Sequence, residues 1–240
     1  MRRKGWSASL FAAAAMLTFA ASAGAVDGTI EINLAKVLAA GGFPYVISNI
    51  GSYRLTGNLT VSSTSADAID VKSNHVTIDL NGFSIVGPGS SSTGKGIAGF
   101  TANALTVENG TITGFQAGVV IGTDGIVKFA HVDANGNGIV AGANAVIQGC
   151  TANGNTNGLG IQVAGEAVVS GNTASANSTG ISCDASGCLV SGNTVDNNTG
   201  APMSFLDSTS GYGENVLNGN ASAISGGTSL GHNLCNGVAC

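Results

Sequence analysis

Of 240 residues, 8 are Lys or Arg and 13 are Asp or Glu, so 9% are charged and the formal net charge is −5; an average soluble domain carries about 25% charged residues. So few cations exclude a nucleic-acid binder, which neutralises phosphates with Lys and Arg. A hydrophobic content of 43% excludes a disordered polar chain, and 3 Pro exclude collagen and Pro-rich linkers.

The chain opens on an address. Arg2, Arg3 and Lys4 precede an apolar run from Leu10 to Ala21, and Ala23-Gly24-Ala25 supplies the small-x-small pattern of a signal peptidase site. The run is shorter than the roughly 20 residues that a bilayer requires, and no second apolar segment follows. Residues 1–25 are therefore expected to be a cleaved secretory signal, not a membrane span. No Cys at the cleavage site could accept lipid, and no apolar C-terminal tail offers an anchor, so a soluble periplasmic or extracellular product is expected. Cleavage leaves 5 cations against 13 acids, a net charge of about −8.

Residues 26–48 read as a cap. Ile30, Leu34, Val37 and Leu38 share one face at helical spacing and Gly41 ends the helix. A β-helix domain is expected over 49–230. Leu55, Leu59, Val61 and Ile69 suggest its first rung. Ile78 and Phe83 begin a second, and the 29 residues from Ile78 to Val107 place their surplus in a projecting loop, Gly87 to Gly94.

From Val107 the repeat is regular. Val107, Val127, Ile147, Val169, Val190 and Tyr212 follow one another at steps of 20, 20, 22, 21 and 22 residues. Beneath them align Ile112, Val132, Ala152, Ala174, Val195 and Leu217, then Phe115, Asn135, Asn155, Asn177, Asn198 and Asn220. Two further columns hold Gly118, Gly138, Gly158, Gly180, Ala201 and Ala223, and Val119, Ile139, Leu159, Ile181, Pro202 and Ile224, with no gap within a block. Such self-similarity marks a solenoid. Short alternating stretches of Val, Ile and Thr cut by Gly and Asn read as strands with tight turns, and Asn-Gly or Gly-Asn every few residues excludes helix. A period of about 21 residues fits three short strands per turn, each pairing in parallel one rung away, which is an all-β parallel β-helix.

The Asn column reads as a ladder, each amide bonding its equivalents in adjacent rungs and so satisfying buried polar groups. Asn172, Asn193 and Asn215 suggest a second partial ladder, interrupted by Gly110, Ala130 and Cys150, where Cys150 is a buried filler. Among 5 Cys, equal spacing pairs Cys183 with Cys188 and Cys235 with Cys240. The second pair staples residues 231–240 as the closing cap. Zinc is disfavoured because no C-x-x-C occurs and His75, His131 and His232 lack ligand spacing.

The runs Val169-Ser-Gly-Asn-Thr-Ala-Ser-Ala-Asn-Ser-Thr-Gly-Ile181 and Val190-Ser-Gly-Asn-Thr-Val-Asp-Asn-Asn198 resemble the right-handed parallel β-helix repeat of the pectate-lyase-like superfamily. Gly51-Ser-Tyr-Arg-Leu-Thr-Gly-Asn-Leu-Thr, Val76-Thr-Ile-Asp-Leu-Asn-Gly-Phe and Gly211-Tyr-Gly-Glu-Asn-Val-Leu are similar to secreted bacterial β-helix proteins without assigned activity. The resemblance implies a right-handed coil and, from members with known activity, polysaccharide as the ligand class. Those enzymes use clustered carboxylates, or calcium with a basic Arg or Lys. Here the outward positions beside Ile139 and Ile181 are expected to be Val120, Val140, Gly160 and Ser182, then Gly122, Gly142, Gln162 and Asp184, with one carboxylate among them. Paired acid and base work needs two. Asp-Asp, Asp-Pro-His and Gly-His-Gly, motifs of polygalacturonases and alginate epimerases, are absent.

Ionisable residues are densest at Arg54, Asp67, Asp70, Lys72, His75 and Asp79, with Lys95 one rung on. A catalytic site, for a lyase, hydrolase or epimerase, falls at Asp70, Lys72 and His75. There Asp70 would hold a cation, calcium being the one implied, and Lys72 would act as base; solvated ion pairs explain the same residues. The more regular surface carries Thr111, His131, Thr151, Thr173 and Thr194, with Thr113, Asp133, Asn153, Ser175 and Asp196 two residues on. Such a ribbon of hydroxyls, amides and acids suits hydrogen bonding to a repeating extracellular carbohydrate, although Thr stacks also stabilise sheets unaided. The primary expectation is a binding or surface-structural protein with no required cofactor.

Overall fold

The computed structural model describes residues 28–156 and 158–240; the signal segment 1–25 lies outside the described residues. The described chain coils through about nine turns of about 22 residues, with three parallel strand columns. The first includes Ile30–Ile32, Gly51–Leu55, Val76–Asp79, the opening halves of Thr106–Thr113 and Ile126–Asp133, then Val146–Gln148, Val168–Ser170, Leu189–Ser191 and Gly211–Gly213. The second runs from Leu59–Thr60 and Ser84–Val86 through the closing halves of the same two long strands, Thr151–Asn153, Thr173–Ser175, Thr194–Asp196 and Val216–Asn218 to Leu234–Cys235, on which Val238–Ala239 folds back antiparallel. The third runs from Tyr45–Ile47 through Ile69–Val71, Lys95–Gly99, Ala117–Ile121, Asn137–Ala141, Leu159–Val163 and Thr179–Cys183 to Met203–Phe205.

Alternation builds these strands. In Val146–Gln148 the middle residue is buried and its neighbours are not, and the same holds for Val168–Ser170 and Thr194–Asp196. Strands of three residues cannot bury a face alone, so Val107, Val127, Ile147, Val169 and Val190, all fully buried, form one continuous core by stacking. Corners are sharp because one residue in each adopts the left-handed conformation. At one corner these are Ala134, Gly154, Ala176 and Asn197 (φ 56°, 64°, 56° and 55°).

Both Asn ladders are present. Asn135, Asn155, Asn177 and Asn198 each donate the backbone N–H to the Oδ1 of the next Asn, at 2.9–3.1 Å. Their Nδ2 groups donate back to the Ile112, Val132, Ala152 and Ala174 carbonyls. The amides thus bond backbone as well as one another. The second ladder starts at the Cys150 N–H and runs through Asn172, Asn193 and Asn215 to Asn233, one rung further than the repeat had suggested. Cys183 and Cys188 stand at bonding distance, as do Cys235 and Cys240, with Cα separations of 6.4 and 5.8 Å.

The structure corrects several register assignments. Ile30 lies in a strand paired with Tyr53, not on the helix, because a strand running directly into a helix mimics helical spacing. The helix is Leu34–Ala39, capped by Asn33, which accepts the Lys36 N–H at 3.0 Å; it buries only Val37 and leaves Leu34 and Leu38 exposed. Residues before 49 also supply Tyr45–Ile47 to the third sheet. Ile85, not Phe83, pairs with Ile112, since Asn81 and Gly82 (φ 51° and 76°) widen the turn. The surplus before Val107 is therefore shared: part lies at that turn, part in Gly87 to Gly94, and part between the paired positions Gly99 and Thr106. Ile161 replaces Leu159 opposite Ile139 and Ile181, and Met203 replaces Pro202, so a gap is needed inside those blocks. Gly160 moves into the Gly118, Gly138 and Gly180 column. Gln162 moves up beside Val140 and Ser182.

Cys150 gives the core a pH signature. It is a free, buried thiol donating to the Val127 and Gln148 carbonyls, and burial pushes its pKa up to about 11 from 9.0. A folded-state pKa raised above the unfolded value contributes stability that is complete below pH 9 and is lost as pH rises towards 11. The loss is about 3 kcal/mol. Cys150→Ala, with the residue that Ala130 supplies one rung earlier, should remove this component from denaturation curves taken between pH 8 and about 11. Burial also raises Tyr45 and Tyr53, which titrate alike in both proteins. An unchanged pH slope in the variant would exclude Cys150 as its source.

Candidate functional site

Three outward surfaces carry chemistry. On the third sheet, Lys72 Nζ lies 2.7 Å from Asp70 Oδ2, so these two catalytic candidates meet. With Asp67, Lys95, Val120 and Phe100 they line a hollow of about 230 Å³. The Lys95 backbone N–H donates to Asp67 Oδ1 at 2.7 Å, joining two rungs. His75 is not among the lining residues. It occupies a left-handed corner (φ 54°), where its N–H donates to the Asn103 carbonyl and its carbonyl accepts the Gly51 N–H. Arg54 pairs with Asp79 at 3.3 Å on the first sheet, apart from Asp70.

Along the same sheet a second hollow of about 300 Å³ is lined by Val140, Gln162, Asp184 and again Phe100. The Asp184 carboxylate accepts from both Gln162 Nε2 and Ser182 Oγ. No group of three or more His, Cys, Asp or Glu side chains is placed to hold a metal among the described residues. Two carboxylates on adjacent rungs are not found at either hollow's outward row, where Ala98, Val120, Val140, Gln162 and Ser182 follow Asp70.

The ribbon lies on the second sheet. Thr111, His131, Thr151, Thr173 and Thr194 pair successively in register, as do Thr113 with Asp133 and Asn153 with Ser175 and Asp196. His131 Nδ1 and Thr151 Oγ1 are 2.8 Å apart, and Thr151 also donates to Asp133 at 3.4 Å. Much of the lower row is engaged with the rung above. Asp133 accepts the Asn153 N–H, Asn153 accepts the Ser175 N–H and Oγ, and Asp196 accepts the Asn218 N–H. The hydroxyls of Thr111, Thr173 and Thr194 have no partner among the described residues.

An aromatic residue absent from the sequence-based candidates completes this surface. Phe129 turns the corner leading into the ribbon in the left-handed conformation (φ 53°), and 56% of it is exposed. Its ring lies over Gly149 on the next rung, where an added Cβ would fall 2.8 Å from the ring. Asn109 holds this corner one rung before, Gly149, Gly171 and Gly192 hold it afterwards, and Glu214 and His232 hold it in the last rungs. The sequence signal was an apolar aromatic in a column otherwise of Asn, Gly, Glu and His.

These features define a parallel β-solenoid with polar and aromatic outer faces. Residues 46–230 match the family model described as "right handed beta helix region", and the chain belongs to that family. No curated protein and no solved structure matches it. No helix among the described residues is long and apolar enough to cross a membrane.

Proposed function

We propose that this chain is an exported, non-catalytic binding protein that holds extracellular polysaccharide along the ribbon of its second sheet. The observation that carries this reading is Phe129. A bulky residue in the left-handed region costs roughly 1–2 kcal/mol, and outliers of this kind concentrate at functional sites. The fold does not require the ring, since Asn, Gly, Glu and His all serve at the equivalent corners, and Phe129 is the one aromatic hydrocarbon among them. An exposed ring beside His131, Thr151 and Asp133 offers the apolar face of a sugar a platform and its hydroxyls both donors and acceptors. Thr111, Thr173 and Thr194 would extend those contacts from rung to rung, with Asp196 at the far end. Export is supported by the leader pattern of residues 1–25 and by two cysteine pairs at bonding distance.

Non-catalytic binding is supported by the state of the alternative site. The Asp70 carboxylate and Lys72 ammonium satisfy one another, and His75 supports a corner. Phe129→Asn should retain the fold, gain about 0.5–1 kcal/mol of stability by relieving the corner, and weaken retention on a polysaccharide panel about tenfold. Lys72→Ala should leave retention unchanged, and binding should be equal in calcium and in EDTA. Reducing ends or 235 nm absorbance appearing with any polymer, and vanishing in Lys72→Ala, would establish the lyase reading instead. Undiminished retention by Phe129→Asn would remove the ribbon as the site.

A further inference from the structure

Charge and apolar surface are both distributed along the solenoid axis. All 5 Lys and Arg of the described residues lie at or before Lys128, together with 6 acids, whereas 6 acids and no cation follow it. One end is thus nearly neutral and the other strongly acidic. Of twelve large apolar side chains that are exposed, four belong to the first rungs and four to the last. At the first end Leu34 and Leu38 protrude together beside the buried Val37, with the exposed Lys36 between them in sequence. At the last end a cavity of about 490 Å³, floored by Leu217, Ile224 and Cys235, lies where a further rung would otherwise cover the core. That volume exceeds the side chains of two leucines.

The strand edges have a matching polarity. Among the described residues Ile30–Ile32 pairs on one side only, with Gly51–Leu55. Thr228–Gly231 likewise pairs only with Gly211–Gly213. At the last end Val238–Ala239 folds back antiparallel and covers the edge of Leu234–Cys235, but Thr228–Gly231 and all the other rung pairings are parallel, so that free edge is complementary to the opposite end of another copy and not to the same end.

We propose that the protein stacks end to end on a second copy of itself, with Leu34 and Leu38 of one molecule seated in the cavity floored by Leu217 and Ile224 of the next. Two acidic ends repel one another, whereas the nearly neutral first end, with Lys36 exposed on it, can meet the acidic end without that cost. Such a contact is heterologous and leaves a free end at each step, so it yields short polar fibres, not closed dimers. Contact confined to the two solenoid ends makes the association weak and concentration-dependent. Stacking would carry the second-sheet ribbon from one molecule to the next, but the inference does not depend on what the ribbon binds.

The test is sedimentation velocity on the exported, purified protein between about 10 µM and 1 mM, the range in which interfaces of low area assemble. Weight-average mass is expected to rise at least twofold across that range. Leu34→Glu/Leu38→Glu blocks one end and Ile224→Glu the other; all three positions are at least partly exposed, so the fold survives, as circular dichroism would verify. Each variant alone should stay monomeric, whereas their mixture should form a 1:1 dimer through the one intact pair of ends. A monomer at every concentration overturns the proposal. Association that persists in the blocked variants, or a mixture that stays monomeric, overturns it as well.

Discussion

Asn177→Ala is expected to lower the unfolding free energy by about 3–6 kcal/mol, with the fold otherwise intact. Asn177 Oδ1 accepts the Asn155 N–H at 2.9 Å and the Asn155 Nδ2 at 3.1 Å, while its own Nδ2 donates to the Ala152 carbonyl at 2.8 Å. Alanine leaves all three of these buried groups without that partner. Asn155 Nδ2 keeps the Val132 carbonyl, but the Asn155 N–H and the Ala152 carbonyl lose a buried partner, at about 1–3 kcal/mol each, and the truncated side chain leaves a void beside them. Asn103→Ala is the control. That residue is exposed and its side chain makes no hydrogen bond among the described residues, so it should change stability by less than about 0.5 kcal/mol. Urea denaturation at neutral pH measures both. A shift below about 1 kcal/mol for Asn177→Ala would mean that the rungs close around the gap, and that stacked apolar columns carry the solenoid without the ladder.

The fold was legible wherever one column had one physical cause. Asn135, Asn155, Asn177, Asn198 and Asn220 recur because a buried amide needs its equivalents above and below, and that demand leaves a period in the sequence. Register was lost where a corner changed length without changing its chemistry. Leu159 and Ile161 are both apolar and two residues apart, so alternation fits either one, and only pairing with Ile139 and Ile181 decides. The same ambiguity hid Ile85 behind Phe83. Site legibility divided similarly. Asp70 and Lys72 stand out in the sequence because charges are rare here, and they lie together; His75, close to them along the chain, lies at a corner outside their hollow. Phe129 leaves no such mark in the sequence, because an aromatic side chain interrupts a row of hydrogen-bonding residues without repeating. Its meaning comes from a left-handed backbone and an exposed ring, neither of which sequence displays.

The other large effect lies at a glycine whose backbone conformation is ordinary. In the corrected column Gly96, Gly118, Gly138, Gly160 and Gly180 succeed one another along the third sheet. A Cβ on Gly138 would fall 2.3 Å from the Gly160 carbonyl oxygen and 2.9 Å from Asn155 Nδ2. The obstacle is backbone one rung away, held by the ladder spacing of about 4.8 Å, so it cannot retreat as a flexible side chain would. The missing side chain is what lets the third sheet approach the asparagine ladder. Gly138→Ala should therefore destabilise by about 3 kcal/mol or more, through displaced pairing and a distorted Asn155 bond. Gly154 provides the contrast. It has a left-handed backbone (φ 64°), yet nothing lies within 4 Å of its added Cβ, and Ala134 and Ala176 hold the equivalent corner. Gly154→Ala is expected to cost about 1 kcal/mol. Equal losses at the two positions would show that conformational freedom, not close approach to the ladder, selects glycine in this solenoid.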